Sequence, residues 1–185
     1  MNAKKTIIIL VSAVVANVCL AQQFYSGKET TIHFFSKTSM KNIEAKNTIS
    51  KPILDVTSGA FQVRVPNKQF KFESSFMEEH FNENYMETEK YEYSTFKGKI
   101  NEKVDYTKDG VNQVTCTGTM DMHGVSLPIT APGTVTVKGN QITVVSKFKL
   151  KLADYKIKVP SLYVKEIAED MDIDITSLME PYVKK

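Results

Sequence analysis

Arginine is almost missing from this chain, with Arg64 its single representative. Without guanidinium clusters or a strong excess of either charge, the sequence lacks the footprint of a nucleic-acid binder. Cysteine is nearly as scarce, limited to Cys19 and Cys116. A disulfide framework is therefore excluded, and the fold must rest on its hydrophobic core. Long apolar runs are confined to the first twenty or so residues, so no integral membrane helix is expected beyond them. Metal-ligand spacing is also lacking: His33, His80 and His123 form no ligand pair and no His-Glu-x-x-His is present.

What the sequence does have begins with an export signal. Lys4 and Lys5 supply a basic start, residues 6–18 are uncharged and mostly apolar, and Cys19-Leu20-Ala21 places small residues at a cleavage site. Cys19 is preceded by Asn17-Val18 rather than by the small residues of a lipoprotein signal, so plain cleavage after Ala21 is expected. That makes residues 1–21 a signal peptide and residues 22–185 one domain, long enough to bury a real core. Its charge is close to neutral, and its expected location is the periplasm, with secretion as an open alternative.

The dominant pattern after the signal is strict alternation, the mark of strands with one buried face. In residues 141–152, Ile142, Val144, Ser146, Phe148, Leu150 and Leu152 share one face, opposite Lys147, Lys149 and Lys151. Residues 95–106 repeat this, with Phe96, Gly98, Ile100, Val104 and Tyr106 inward. So do residues 114–122, with Val114, Cys116, Gly118, Met120 and Met122 inward. Shorter strands are predicted over 31–37, 42–49, 60–65, 134–138 and 172–176. Turns are predicted at Ser58-Gly59, Asp109-Gly110, Pro132-Gly133 and Gly139-Asn140. Asp109-Gly110, between two long alternating runs, is the strongest hairpin signal. Residues 74–88 instead carry Phe76, Met77, His80, Phe81 and Tyr85 at helical spacing, with a Ser75/Glu78 capping box. A second helical stretch is predicted over 161–171.

Such a chain is all-β: an antiparallel array of about eight strands with one or two short helices. Periodicity leaves a barrel or a sandwich, and within a barrel either a filled core or one small ligand.

Three groups of residues sharpen this. Phe76-Met77-Glu78-Glu79-His80-Phe81-Asn82, then Tyr85-Met86-Glu87-Thr88, Lys90-Tyr91 and Phe96-Lys97-Gly98, form the first. Gly118-Thr119-Met120-Asp121-Met122-His123-Gly124-Val125 with Pro128 is the second, and Asp154-Tyr155-Lys156-Ile157 with Pro160 the third. In this order they resemble the YceI-like family, over about residues 30–175. Glu92 departs from the pattern, standing where that family usually has proline after tyrosine. The resemblance implies a lipocalin-like barrel whose interior binds a polyisoprenoid or another long-chain lipid, in an exported protein. The residues themselves show no catalytic or cofactor signature, and an enzyme using His80, His123 or Cys116 is the least favoured reading.

The expected ligand wall combines inward strand residues with the helix face. It comprises Phe34, Phe61, Phe76, Phe81, Tyr85, Phe96, Gly98, Ile100, Cys116, Gly118, Met120, Val144 and Phe148. Gly98 and Gly118 are read as a side-chain-free patch that leaves room for the ligand, with strand bending as the competing explanation. A structural module with a filled core is the alternative function.

Other sites are expected to be bland. Cys116 is expected buried, inert and unpaired. Asp170-x-Asp172-x-Asp174 lacks the glycine and glutamate of a calcium loop and is read as a wet strand face. Ser126 lies near His123 but lacks the Gly-x-Ser-x-Gly elbow of a nucleophile. The lysine rows 97/99/103 and 147/149/151 are read as solubilising, with anionic headgroups the less favoured partner. The expected partner is an apolar lipid, and a homodimer is left open.

Overall fold

A computed structural model describes residues 23–38, 40, 42–163 and 165–182; the expected signal peptide lies outside the described residues. Ten strands and one short helix follow in order. They are β1 (Phe24–Lys37), β2 (Asn42–Asn47), β3 (Ile53–Asp55), β4 (Ala60–Pro66), β5 (Lys71–Phe72), α1 (Ser75–His80), β6 (Tyr93–Ile100), β7 (Gly110–Met122), β8 (Val125–Lys138), β9 (Gln141–Lys151) and β10 (Asp170–Tyr182). Eight of them close an antiparallel barrel in the order β1-β10-β9-β8-β7-β6-β4-β3 and back to β1. β2 and β5 extend the sheet from the far half of β1. Closure covers most of the edges that strands this long would expose, although β8 and β9 pair only from Lys138↔Gln141 to Gly133↔Ser146.

Side-chain alternation sets the register. β9 turns Val144, Phe148 and Leu150 inward, while outside Lys147 pairs with Asp174 at 2.7 Å and Lys149 with Asp172 at 2.6 Å on β10. The alternate aspartates are thus the wet face expected, and two members of that lysine row are occupied by them. The strands run longer than their alternation, because the ends of β1, β8 and β10 bury residues irregularly.

Several local expectations are corrected. β6 ends at Ile100, and residues 101–109 form a loop instead of continuing to Tyr106. Asn101 and Glu102 turn back to bond Thr115, and Asp105 caps its own turn by accepting from Thr107 N–H at 3.0 Å. β6 and β7 do pair as the antiparallel hairpin expected, but through this long loop and not a tight turn at Asp109-Gly110. The two-residue hairpins are His123-Gly124 and Gly139-Asn140, where positive φ is supplied by His123 and by both glycines. Pro132-Gly133 lies inside β8 rather than at a turn. In the mouth helix the cap is Ser74, which accepts from Met77 N–H, and not Ser75. The helix continues through a π turn over Phe81–Tyr85. The helical stretch expected over 161–171 reduces to a single 3-10 turn, Ser161–Tyr163, because Met171 already belongs to β10.

One end of the barrel is packed shut. Tyr25, Leu54, Ile100, Val114, Val135, Val137, Ile142 and Met179 are buried there, and Val104 and Tyr106 of the 101–109 loop seal them. The Tyr106 hydroxyl is buried without a partner, and burial pushes its pKa up to about 12. The other end carries α1 and residues 152–163 and 165–169.

Candidate ligand cavity

Above that floor the barrel is hollow. A cavity of about 290 Å³ runs from Ile100, Val114 and Val135 up to α1. This lies near the lower edge of the range for small-molecule sites. The filled-core expectation therefore does not describe the barrel interior.

Its wall is built from alternate strand residues. Phe34 comes from β1, Phe61 from β4, Phe96 and Ile100 from β6, Cys116 and Met120 from β7, and Val144 and Phe148 from β9. Phe76, Phe81 and Tyr85 complete it from the mouth. The ring of Phe81 joins the helix to the sheet, lying 5.5 Å from that of Phe34 and 5.1 Å from that of Phe72. Phe76 borders the cavity yet is 64% exposed, which places it at the rim.

Gly98 and Gly118 do not join this wall. They face each other across β6 and β7, and a Cβ on Gly98 would lie 2.5 Å from the Phe96 ring and 2.7 Å from the Thr117 carbonyl. The pair permits close backbone approach, and the Phe96 ring folds over it. There is no side-chain-free pocket at this point, which corrects the reading of these glycines as ligand space.

Cys116 is half-buried and faces the cavity, so it is less enclosed than expected. Burial, with the Glu102 carboxylate adding, pushes its thiol up to about 11. Such a thiol is a poor nucleophile at neutral pH. The histidines are not brought together. His33 pairs with Glu44 at 2.7 Å on the outer wall, and the His80 ring lies tilted against that of Phe76 at the mouth. His123 bonds Glu87 at 2.8 Å and the Tyr155 carbonyl at 3.0 Å. Ser126 bonds Asp121.

The alternation missed Phe70 and Phe72, because β5 is only two residues long. It also missed Tyr163, Glu166 and Ile167, which reach the mouth from an irregular segment. Tyr85 has its pKa raised by burial first, then by Tyr163 and Glu166 beside it.

Electrostatically the wall is nearly blank. Among the described residues it contains no lysine or arginine, and Glu166 is the sole carboxylate. Of its few polar side chains, Asn67 donates to the Tyr91 carbonyl and accepts from Ser94, and Ser146 donates to the Pro132 carbonyl. Bonds within the protein thus occupy most of what a polar ligand would need.

A YceI-like domain model matches residues 24–177. Among solved structures, a polyisoprenoid binding domain from Saccharophagus degradans implicated in plant cell wall breakdown superposes with a TM-score of 0.73. It is 18% identical, over 85% of this chain and 98% of that one. BcnA from Burkholderia cenocepacia superposes with a TM-score of 0.68 at 16% identity, over 81% of this chain and 95% of its own. The Campylobacter jejuni YCEI protein gives 0.57 at 16% identity, over 100% of this chain and 92% of its own. No curated protein matches the sequence.

Proposed function

The chain belongs to the YceI-like family, and from that premise we propose that its barrel sequesters or carries a long-chain, polyisoprenoid-like lipid without transforming it. The observation that carries this is the cavity, whose wall is predominantly apolar and, among the described residues, holds no lysine or arginine. Apolar burial at roughly 25 cal/mol per Å² is the only large favourable term such a wall offers. The polyisoprenoid binding domain of matching fold supports the same class of ligand.

The blank electrostatics narrow that class to lipids whose buried part is uncharged. A phosphate drawn inside would be desolvated with no lysine or arginine to meet it. Geranylgeraniol is therefore expected to bind at least tenfold more tightly than geranylgeranyl phosphate, about 1.4 kcal/mol. Fluorescence displacement on delipidated protein measures the ratio, and equal affinities would overturn the uncharged-head reading. Binding itself is tested by organic extraction of protein purified from its own host, followed by mass spectrometry. Recovery of a stoichiometric apolar lipid is expected; delipidated protein that takes up neither prenol refutes the function.

The site of action we propose is outside the cytoplasm, after removal of residues 1–21. The support is the basic start, apolar stretch and small-residue cleavage site. Intact mass of the exported protein is expected to place Gln22 at the N-terminus, and an acylated Cys19 would contradict it.

A further inference from the structure

The barrel wall is incomplete on one side. β8 pairs with β7 along its whole length, from Gly110↔Val137 to Met122↔Val125. With β9 it pairs only from Lys138↔Gln141 to Gly133↔Ser146. Beyond that point residues 125–132 of β8 keep β7 alone, and residues 147–151 of β9 keep β10 alone. The two strands part for the upper half of the barrel.

Two prolines favour the parting. Thr115, opposite Pro132, sends its N–H to Glu102 at 2.6 Å and takes Asn101 N–H on its carbonyl at 2.9 Å, both away from β8. Thr115↔Pro132 is then a non-hydrogen-bonded pair, and the nitrogen and carbonyl of Pro132 face β9. The Pro132 carbonyl indeed accepts from Ser146 Oγ at 2.6 Å. Pro128 lies four residues away in the same register, opposite Thr119, so its nitrogen faces the same gap. With no N–H at either position, β8 lacks two of the donors that a ladder continued to β9 would use.

The gap opens onto the cavity. Ile129, Ala131 and Pro132 on one edge, and Ser146, Phe148 and Leu150 on the other, all line it. Its upper end is stopped by Tyr155 and Ile157, which are buried with Leu150 and packed by the partly buried Val125, Leu127, Phe148 and Leu152. His123 ties that stop to the mouth through the Tyr155 carbonyl and Glu87.

We propose that the part of the gap below this stop, between residues 128–132 and 147–149, is a lateral portal through which the ligand's hydrocarbon chain enters and leaves the barrel. This rests on the lipid-binding reading above and adds the route. A chain passing sideways between two strands that share no ladder breaks no backbone hydrogen bonds. End-on passage instead runs past α1, where the Phe81 ring packs against Phe34 and Phe72.

The test follows release of pyrene-labelled hexadecanol from delipidated, reloaded protein to phosphatidylcholine vesicles, with rates normalised to probe bound. Pro128→Val with Pro132→Val restores both N–H groups, and hydrogen exchange checks that residues 147–151 gain protection. A second variant, Thr130→Cys, is folded first and then labelled with a bulky maleimide; wild type taken through the same labelling is the control. Thr130 is an exposed residue on the β8 edge. Both treatments are expected to slow release at least tenfold. If the double variant does not fold, the labelled Thr130→Cys protein decides. Release unchanged by the adduct, or slowed instead by the same adduct on Phe76→Cys at the mouth, overturns the portal. A wild-type protein that binds no probe overturns the portal and the lipid-binding reading together, whereas bound probe with unaltered rates overturns the portal alone.

Discussion

A Cβ on Gly118 would press on the Lys97 carbonyl and stand 2.5 Å from the Gly98 Cα. Both obstacles are backbone, and neither can swing aside as a side chain would. Gly118→Ala is therefore expected to destabilise the barrel by about 1–3 kcal/mol, the usual cost of overpacking. Urea denaturation measures it, and a variant as stable as wild type would show that β6 and β7 can separate freely. The inward parity of both glycines was legible in the alternation. Whether their bareness faced a ligand or a neighbouring strand was not, because period two says which side a residue faces and nothing about what lies there. Cys116 permits a complementary test. Its raised pKa means that the neutral thiol persists to about 11, so alkylation by iodoacetamide is expected to climb with pH well past the ordinary cysteine midpoint. Bound lipid is expected to suppress that labelling, since the thiol borders the cavity. Ligand-independent labelling would place its accessible face elsewhere.

At the level of elements, the described residues hold three non-glycine positions with positive φ: Glu87, His123 and Lys156. They meet at one place. Glu87 bonds His123, and His123 bonds the carbonyl of Tyr155, next to Lys156. Left-handed backbone costs such residues of order 1–3 kcal/mol, so the contacts around them must compensate. The His123 ring does this by bridging two acceptors and packing 4.4 Å from Tyr91. His123→Ala is expected to cost about 1–3 kcal/mol, since a buried carbonyl loses its donor. Faster hydrogen exchange over residues 152–157 is the accompanying sign, and unchanged exchange there would contradict the tie. The family resemblance pointed to these same stretches, but their partnership joins residues more than thirty positions apart, beyond the reach of local pattern. The turns show the same limit. Asp109-Gly110 carries hairpin residues, yet Glu102 and Asn101 capture Thr115 and open the connection into a loop. Pro132-Gly133 reads as a turn, yet β7 holds it extended. By contrast β9 was plain in the sequence, because one of its faces meets an apolar cavity and the other carries ion pairs to β10.

For the molecule as a whole, a ligand that binds only the folded barrel adds stability by mass action, growing with its free concentration over its Kd. Delipidated protein is expected to melt below reloaded protein, with the difference rising as more prenol is supplied; coincident melting curves would show that nothing occupies the barrel. The same hollow of about 290 Å³ has a mechanical side. Unfolding eliminates internal voids and so lowers the volume of the system, which makes hydrostatic pressure a denaturant whose strength scales with void space. An empty barrel is the compressible form of this protein and a loaded one the stiff form. Hydrostatic pressure thus distinguishes the two states by volume alone, without reference to the chemistry of the cargo.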